Sequence, residues 1–231
     1  MLFMDQVLKK ITDVFTGIYQ GAGDAVFNEA NEADRPSLKA AFNYAAKKHE
    51  GQTRRGQQPR PYTDHLLMVW FLTHISGQSL EAQQAALLHD VAEDCLKNAE
   101  TQEDILKEIK NLFGENVSSI CRDLTLPLGM EDTDEAELDF ISKIPKGSQP
   151  IKSCDNLANL WDAIHDTPKK WTGDRIKEDV VFRSQIKDLV TQPASLLDKL
   201  FAAVSTLAGE PKSPVLKQSR IVVRPPQPPK P

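Results

Sequence analysis

Apolar residues recur at helical spacing along most of the chain. Between Leu2 and Ile18 they fall three and four residues apart, and the same spacing returns between Leu38 and Ala46. Such a pattern predicts helices that bury one face. The sequence shows no convincing alternation of apolar and polar residues of the kind that marks half-buried strands. The pattern therefore predicts an all-α fold, a bundle of about eight to ten helices.

The segment near residues 65–74 is apolar on almost every side, which is typical of a buried central helix. Polar residues on this helix, such as His65, therefore need partners. Most of the other predicted helices open with Ser, Thr or Asp and are separated by Gly or Pro. They are predicted at about 79–95, 101–113, 115–123, 133–143, 150–165, 174–190 and 194–207.

The same pattern divides the chain into three parts. Residues 1–34 form an N-terminal helix and a connection, and residues 35–208 form the helical domain. Residues 209–231 are a Pro-rich basic tail, which we expect to be extended and disordered. The apolar stripe of the first helix packs on its own domain in the simplest interpretation. A surface for a homodimer or another partner is the alternative.

Charge and cysteine content exclude some classes of protein. A formal net charge of −5 argues against a dedicated nucleic-acid-binding protein, because Lys and Arg supply most of the affinity for a phosphate backbone. The cysteines, Cys95, Cys121 and Cys154, are odd in number and far apart, which favours reduced thiols and a cytoplasmic location. The N-terminus does not fit a signal peptide, and no run approaches the roughly 20 apolar residues that span a bilayer. We therefore expect no nucleic-acid or membrane partner.

Candidate chemistry begins where an apolar run ends. His89 and Asp90 directly follow Leu88, and Glu93 and Asp94 come one turn later on the same edge of one predicted helix. Taken alone, the His-Asp pair is more simply explained as a solvated helix end. An aspartate beside an apolar helix is nevertheless costly to bury unless it is paired or binds a metal.

Two further helices carry residues of the same kind. His65 begins the most apolar helix, and Asp155 and Asn159 lie four residues apart on another. Alone, His65 would be a cap or a satisfied core histidine, and Asp155 an ordinary ion-pair partner. Together with His89 and Asp90 they supply two imidazoles and two carboxylates, a ligand set suited to Mn²⁺, Fe²⁺ or Zn²⁺.

Five motifs, in the same order and at similar spacings, resemble the HD hydrolase domain of the RelA/SpoT homologues, and especially the free-standing small alarmone hydrolases. The resemblance covers roughly residues 38–190 and implies an HD-domain helical bundle. The motifs are Ala45-Ala46-Lys47-Lys48-His49-Glu50-Gly51-Gln52-Thr53-Arg54-Arg55, Pro61-Tyr62-Thr63-Asp64-His65, Ala86-Leu87-Leu88-His89-Asp90 with Glu93-Asp94, Phe113-Gly114, and Lys152 with Asp155 and Asn159.

The resemblance implies a role for each matching residue. Four match the ligands of a single Mn²⁺ ion, with Fe²⁺ or Zn²⁺ less favoured: His65, His89, Asp90 and Asp155. Two match the catalytic acids that orient or deprotonate the attacking water: Glu93 and Asp94. Four match residues that bind the purine, the ribose or the phosphates of the substrate: Arg54, Arg55, Lys152 and Asn159. Lys47, Lys48 and Arg60 add basic charge, for which a solvated loop is the alternative.

The function implied by the resemblance is removal of the 3′-pyrophosphate from (p)ppGpp, with release of pyrophosphate and GDP or GTP. The adenosine analogue (p)ppApp is a further expected substrate. Two alternatives stay open from the sequence. One is an HD phosphohydrolase that acts on another nucleotide, such as a nucleoside monophosphate or NADPH. The other is a non-catalytic module that senses a nucleotide and binds a partner.

The chain departs from the family pattern at some positions. Leu66 stands where proline usually follows the first metal histidine, and Asn156 stands where a basic residue usually follows the last ligand. Asp179 stands where relatives often have a tyrosine that contacts substrate. The resemblance therefore leaves the purine preference and the number of substrate phosphates open.

Overall fold

The computed structural model describes residues 2–57, 59–97 and 99–207, and this part of the chain is almost entirely helical. Its α-helices are α1 (Leu2–Tyr19), α2 (Arg35–Lys48), α3 (Thr63–Ile75), α4 (Leu80–Leu88), α5 (Val91–Asp94), α6 (Gln102–Phe113), α7 (Glu115–Leu124), α8 (Asp134–Ser142), α9 (Gln149–His165), α10 (Gly173–Val190) and α11 (Leu196–Leu207). A short 3-10 helix occupies Gly23–Glu29, and the strands β1 (Thr53–Arg54) and β2 (Arg60–Pro61) pair antiparallel. Among these helices none has the length and apolar character that crossing a membrane would require.

The predicted all-α fold is confirmed, with one interruption that affects the site. The helix expected at about 79–95 is divided into α4 and α5 at His89 and Asp90. Asp90 leaves regular helix geometry at φ −91° and ψ −8°. Glu93 and Asp94 therefore lie on a separate short helix. The prediction that they continue the helix before His89 is wrong.

Helix α3 is the central element of the bundle. Every residue from Asp64 to Thr73 is buried, as its apolar composition predicts. It packs against α4 on one side and α9 on another, and α9 in turn packs against α10. The three helices that carry the predicted metal ligands are therefore neighbours.

Helix α1 packs on this bundle through its apolar stripe. Ile11, Phe15 and Ile18 are buried in the common core, and the Phe15 ring meets Trp161 edge to face with centroids 5.2 Å apart. The simplest interpretation of the stripe is confirmed for these three residues. The division of the chain at residue 34 stays a prediction, and the predicted disordered tail lies outside the described residues.

Candidate metal and substrate site

The structure brings His65, His89 and Asp155 together. His65 lies in the first turn of α3, His89 directly follows α4, and Asp155 lies in the first half of α9. One ligand atom of each residue lies within 4.8 Å of the other two. The Nε2 atom of His65 is 3.2 Å from Oδ1 of Asp155, and Nε2 of His89 is 3.9 Å from the same oxygen. All three side chains are buried.

Asp90 lies beside this cluster. Its Oδ2 atom is 3.1 Å from Nε2 of His89 and 3.6 Å from Nε2 of His65. The hydroxyl of Tyr62 lies 2.8 Å from this Asp90 oxygen and 2.9 Å from Oδ2 of Asp94. Because a phenol has one proton, Tyr62 donates to one carboxylate at a time or shares the proton between them. Tyr62 thus links a predicted ligand to a predicted catalytic acid.

The geometry of His89 fits a divalent cation. Its Nδ1 atom is 2.9 Å from the carbonyl oxygen of Ala86. A carbonyl oxygen only accepts, so Nδ1 carries the hydrogen and Nε2 of the neutral ring presents its lone pair to the cluster. Within the described residues this buried Nε2 has no hydrogen-bond partner, since its contact with Asp90 lacks hydrogen-bond geometry. Imidazole nitrogens beside carboxylate oxygens form a ligand set that Mn²⁺, Fe²⁺ and Zn²⁺ accept.

The electrostatics of the cluster favour a positive charge at its centre. Burial lowers the pKa of His65, and the positive charge of Arg54 acts in the same direction. Burial also opposes charge on His89, but Asp90 and Asp155 outweigh it and raise the pKa of His89 to about 9. Against the effect of burial, His89 and His65 hold the pKa of Asp90 below its usual range. The cluster therefore stabilises either a proton or a metal cation.

A cavity of about 310 Å³ opens on the cluster. Its titratable lining includes two imidazoles, those of His65 and His89, two basic side chains, those of Arg54 and Lys152, and a larger number of carboxylates: Asp90, Glu93, Asp94, Glu137 and Asp155. An excess of negative charge repels an anionic ligand. A divalent cation in the cluster would reverse part of that repulsion, because a bound ion is often the largest local charge in its site.

The two predicted catalytic acids lie on α5 at this cavity. Oε2 of Glu93 accepts a hydrogen bond from the backbone amide of Leu126 at 3.0 Å. Burial, followed by the negative charge of Asp90, raises the pKa of Glu93 to about 7. A carboxyl group with such a pKa can take up and release a proton near neutral pH.

Three of the four predicted substrate-binding residues line the cavity, namely Arg54, Lys152 and Asn159. Nζ of Lys152 donates to Oδ2 of Asp155 at 2.8 Å, and Nδ2 of Asn159 donates to Oδ1 of Asp155 at 2.6 Å. Arg54 in turn donates to Oδ1 of Asn159 at 2.7 Å. Side chains on the cavity wall are thus hydrogen-bonded in series to a predicted metal ligand.

The structure does not bring the other basic residues to the same wall. Among the described residues that line the larger cavity, Arg55 is absent, and its side chain is exposed. Lys48 pairs with Glu108 at 2.9 Å. Arg60 is held by three carboxylates, those of Asp64, Asp162 and Asp166. Lys48 and Arg60 therefore form ion pairs within the chain. The sequence had suggested that they contact substrate or lie in a solvated loop, and neither prediction included these pairs.

Sequence reasoning missed Tyr62 and Asp162. Tyr62 belongs to the motif that ends at His65, but the sequence predicted no role for it. Its ring is stacked on His49 with centroids 4.4 Å apart. Asp162 accepts from Arg54 at 3.0 Å on the face of α9 that also carries Asn159. A signal for Asp162 was available, because Asp155, Asn159 and Asp162 recur at four- and three-residue spacing along one helix face.

A smaller cavity of about 140 Å³ adjoins the first and shares Lys152, Asp155 and Asn159 with it. Arg183 of α10 lines this smaller cavity. Its Nε donates to Oδ2 of Asp179 at 2.8 Å, and Asp179 is 0% exposed. Asp179 occupies the position where relatives often have tyrosine. It therefore binds an arginine of the cavity wall without lining the cavity itself.

The helical bundle and its cluster of histidines and aspartates define an HD-domain protein, and comparison with known proteins agrees. Residues 41–137 match the family described as HD domain. A Drosophila melanogaster protein named guanosine-3′,5′-bis(diphosphate) 3′-pyrophosphohydrolase MESH1 is 31% identical over 162 residues, which cover 68% of this chain and 87% of that protein. The human protein of the same name is 29% identical over 159 residues, which cover 67% and 84%.

A solved structure agrees as well. It is described as a metazoan ortholog of SpoT that hydrolyzes ppGpp and plays a role in starvation responses. It matches with a TM-score of 0.65 at 26% identity, and the match covers 74% of this chain and 95% of that one. The chain belongs to the MESH1 family of HD-domain hydrolases. The resemblance to small alarmone hydrolases is thereby confirmed.

Proposed function

We propose that this chain is a metal-dependent (p)ppGpp 3′-pyrophosphohydrolase. The observation that carries the proposal is the cavity of about 310 Å³ on which His65, His89, Asp155 and Glu93 converge. The Drosophila and human relatives are named as guanosine-3′,5′-bis(diphosphate) 3′-pyrophosphohydrolases, and the matches cover most of their length. In the reaction, water attacks the phosphorus bonded to the ribose 3′ oxygen. The P–O bond to that oxygen breaks, and the products are pyrophosphate and GDP or GTP.

Mn²⁺ is the metal of the proposal, with Fe²⁺ and Zn²⁺ less favoured. His65, His89, Asp90 and Asp155 would hold it, since two imidazoles and two carboxylates form a mixed nitrogen and oxygen set. A bound divalent ion supplies Lewis acidity, which makes water a better nucleophile at neutral pH and polarises a phosphoryl oxygen.

The residues of the chain then divide the remaining work. Glu93 takes the proton of the attacking water, because its carboxyl is held by the Leu126 amide and has a pKa of about 7. Asp94, in contact with the Tyr62 hydroxyl at 2.9 Å, orients that water. Proton uptake by Glu93 and orientation of the water by Asp94 both require that these side chains keep their positions.

Substrate binding is assigned to the cationic and amide groups on the cavity wall. Lys152 offers a point charge to phosphate, and Arg54 offers a planar fork. Asn159 lies between Arg54 and Asp155 and contacts ribose or the 3′ phosphates in the proposal. Arg55, exposed outside the cavity lining, is proposed to contact the purine.

Product analysis tests the function. Purified protein is incubated with Mn²⁺ and guanosine 3′,5′-bis(diphosphate), and nucleotide and phosphate products are separated. We expect GDP and pyrophosphate in equal amounts, and no turnover by an Asp90→Ala variant. Orthophosphate as the product, or turnover only of a nucleoside monophosphate or NADPH, would reject the proposal. Tight binding without turnover would favour a nucleotide sensor.

The same proposal includes (p)ppApp as a further substrate and a cytoplasmic location. Cys95, Cys121 and Cys154 are free and buried, which suits a reducing compartment. The partner is a small nucleotide, neither nucleic acid nor membrane. A homodimer stays a prediction that native mass spectrometry can check.

A further inference from the structure

Helix α1 lies outside the segment that matches the HD domain family, residues 41–137, and its end contacts two residues beside the site, Asp162 and Arg60. Its last residue, Tyr19, makes two contacts there. The Tyr19 hydroxyl donates to Oδ1 of Asp162 at 2.6 Å, and the Cζ atom of Arg60 lies 3.9 Å from the centroid of the Tyr19 ring. Phe15 and Ile18 are each 1% exposed and anchor α1 in the core. Because these two residues already attach α1 to the core, the hydrogen bond of the Tyr19 hydroxyl is not needed to hold the helix in place.

A series of hydrogen bonds leads from Tyr19 to Asp155, one of the predicted metal ligands. Oδ2 of Asp162 accepts from Nε and one terminal nitrogen of Arg54, at 3.2 and 3.0 Å. The same terminal nitrogen donates to Oδ1 of Asn159 at 2.7 Å. Asn159 then donates to Oδ1 of Asp155 at 2.6 Å. Arg54 and Asn159 both line the larger cavity.

Asp162 is the branch point of this series. Two guanidinium groups bind its two oxygens, Arg60 at Oδ1 and Arg54 at Oδ2. The Tyr19 hydroxyl and Arg60 both occupy Oδ1, which leaves Oδ2 to Arg54. Because charge-assisted hydrogen bonds of this kind are strong and directional, the orientation of the carboxylate sets the orientation of the Arg54 fork.

We propose that Tyr19 is a positioning residue, which acts through Asp162 to hold Arg54 in the orientation that binds the nucleotide. The N-terminal helix is then part of the substrate site and not only a support for the fold. The kinetic readout rests on the proposed function, whereas the coupling of Tyr19 to Arg54 does not.

The first test removes only the hydroxyl. Tyr19→Phe keeps the ring against Arg60, and we expect the KM for guanosine 3′,5′-bis(diphosphate) to rise roughly threefold to tenfold with kcat within about twofold of wild type. Tyr44→Phe is the matched control, because it also removes a phenol from a carboxylate, Glu108 at 2.8 Å, outside the cavity lining. An unchanged KM in Tyr19→Phe, or an equal rise in both variants, overturns the proposal.

The second test asks whether Tyr19 acts through Arg54. In an Arg54→Ala background, Tyr19→Phe should have no further effect on KM, because contacts in one network are not additive. If the two substitutions multiply their effects, Tyr19 does not act through Arg54 and the proposal is wrong.

A third readout does not need turnover. Hydrogen–deuterium exchange of the peptide that contains β1 and residues 55–57 is measured without nucleotide. We expect faster exchange in Tyr19→Phe and wild-type exchange in Tyr44→Phe. If the wild-type protein does not hydrolyse the nucleotide, the proposed function fails, and this measurement still decides the positioning role. Unchanged exchange in Tyr19→Phe overturns it.

Discussion

Oε2 of Glu93 accepts a hydrogen bond from the Leu126 amide at 3.0 Å, which fixes a half-buried carboxyl on the wall of the cavity that opens on the cluster of His65, His89 and Asp155. Leu126 follows α7, a helix that supplies none of the predicted metal ligands. The position of the acid therefore depends on a contact between α5 and the segment that follows α7.

Replacing Glu93 by Gln should separate metal binding from catalysis. Glu93→Gln keeps an acceptor for the Leu126 amide but cannot take a proton. We expect kcat to fall by about 10² to 10⁴ with Mn²⁺ binding within a few-fold of wild type, measured by steady-state kinetics and calorimetry. Glu108→Gln, which changes a carboxylate outside the cavity lining, should keep the wild-type rate. An unchanged rate in Glu93→Gln would remove Glu93 from the mechanism.

The pH dependence of stability should carry the signature of Glu93 in metal-free protein. Its pKa is about 7 in the folded state against 4.5 in the unfolded chain, so the native state binds the proton more tightly. Stability from this group is present below pH 4.5 and is lost as pH rises through 7. Glu93→Gln should therefore be more stable than wild type above pH 7, by about 3 kcal/mol at most, and equal below pH 4.5.

Glu108 supplies a control of opposite sign for the same denaturation series. Its hydrogen bond with Lys48 lowers the pKa of Glu108. Its contribution is present above the unfolded pKa and is lost at lower pH. Glu108→Gln should therefore be slightly less stable than wild type at pH 8. If both Gln variants shift in the same direction, the assignment to Glu93 is wrong.

Most helices could be predicted from the sequence because their cause is local. Apolar spacing and opening residues such as Thr101, which forms a capping box with Asp104, mark the start of α6 without reference to the rest of the chain. The break between α4 and α5 could not be predicted, because each half keeps helical spacing. At the break Asp90 contacts Tyr62 and His65, and the His89 ring lies beside that of His65, contacts that local spacing does not encode.

Candidate residues could be predicted by type but not by partner. His65, His89 and Asp155 were recognised as ligand types, and the fold brings them together. The ion pairs of Arg60 with Asp162 and Asp166 join residues about 100 positions apart in sequence. No local spacing encodes such contacts, so the basic loop could only be assigned to substrate or to solvent.

Metal removal should lower stability as well as activity. A ligand that binds only the native state stabilises it, by about 2.7 kcal/mol at 100 times its Kd. Wild-type protein with Mn²⁺ should show this increase over chelator-treated protein in thermal or urea unfolding, and Asp155→Asn should show little of it. Asp188→Asn, an exposed site outside the cavity lining, should respond as wild type does. Equal stabilisation of Asp155→Asn would exclude Asp155 as a ligand.

Gly56 holds the basic loop close to α9. An added Cβ would overlap the carboxylate of Asp166, which accepts from the Gln57 amide at 2.8 Å and from Arg60 at 2.9 Å. Gly56→Ala should lower the free energy of unfolding by about 1 to 3 kcal/mol and raise KM, because the loop includes Arg54. Gly147→Ala, where a Cβ meets nothing within 4 Å, should change stability by less than about 0.5 kcal/mol. Similar losses in both variants would contradict the steric explanation.

Asp179 should contribute to stability in a way that its neighbour Asp174 on α10 does not. Asp179 is 0% exposed and pairs with Arg183 at 2.8 Å, whereas Asp174 is exposed and pairs with Lys177 at 3.1 Å. Removing one member of a buried pair leaves the other charge poorly compensated, so Asp179→Asn should cost about 3 kcal/mol in urea unfolding. Asp174→Asn should cost less than about 0.5 kcal/mol.

A double-mutant cycle can assign that cost to the ion pair. Suppose that the stability lost in Asp179→Asn comes from its ion pair with Arg183. Arg183→Met should then lower the free energy of unfolding little further in the Asp179→Asn background, with a coupling energy of about 1 to 3 kcal/mol. Additive losses would show that Asp179 stabilises α10 through other contacts. In that case the aspartate at a family tyrosine position serves the helix and not the cavity wall, and Asp179→Asn should leave KM unchanged.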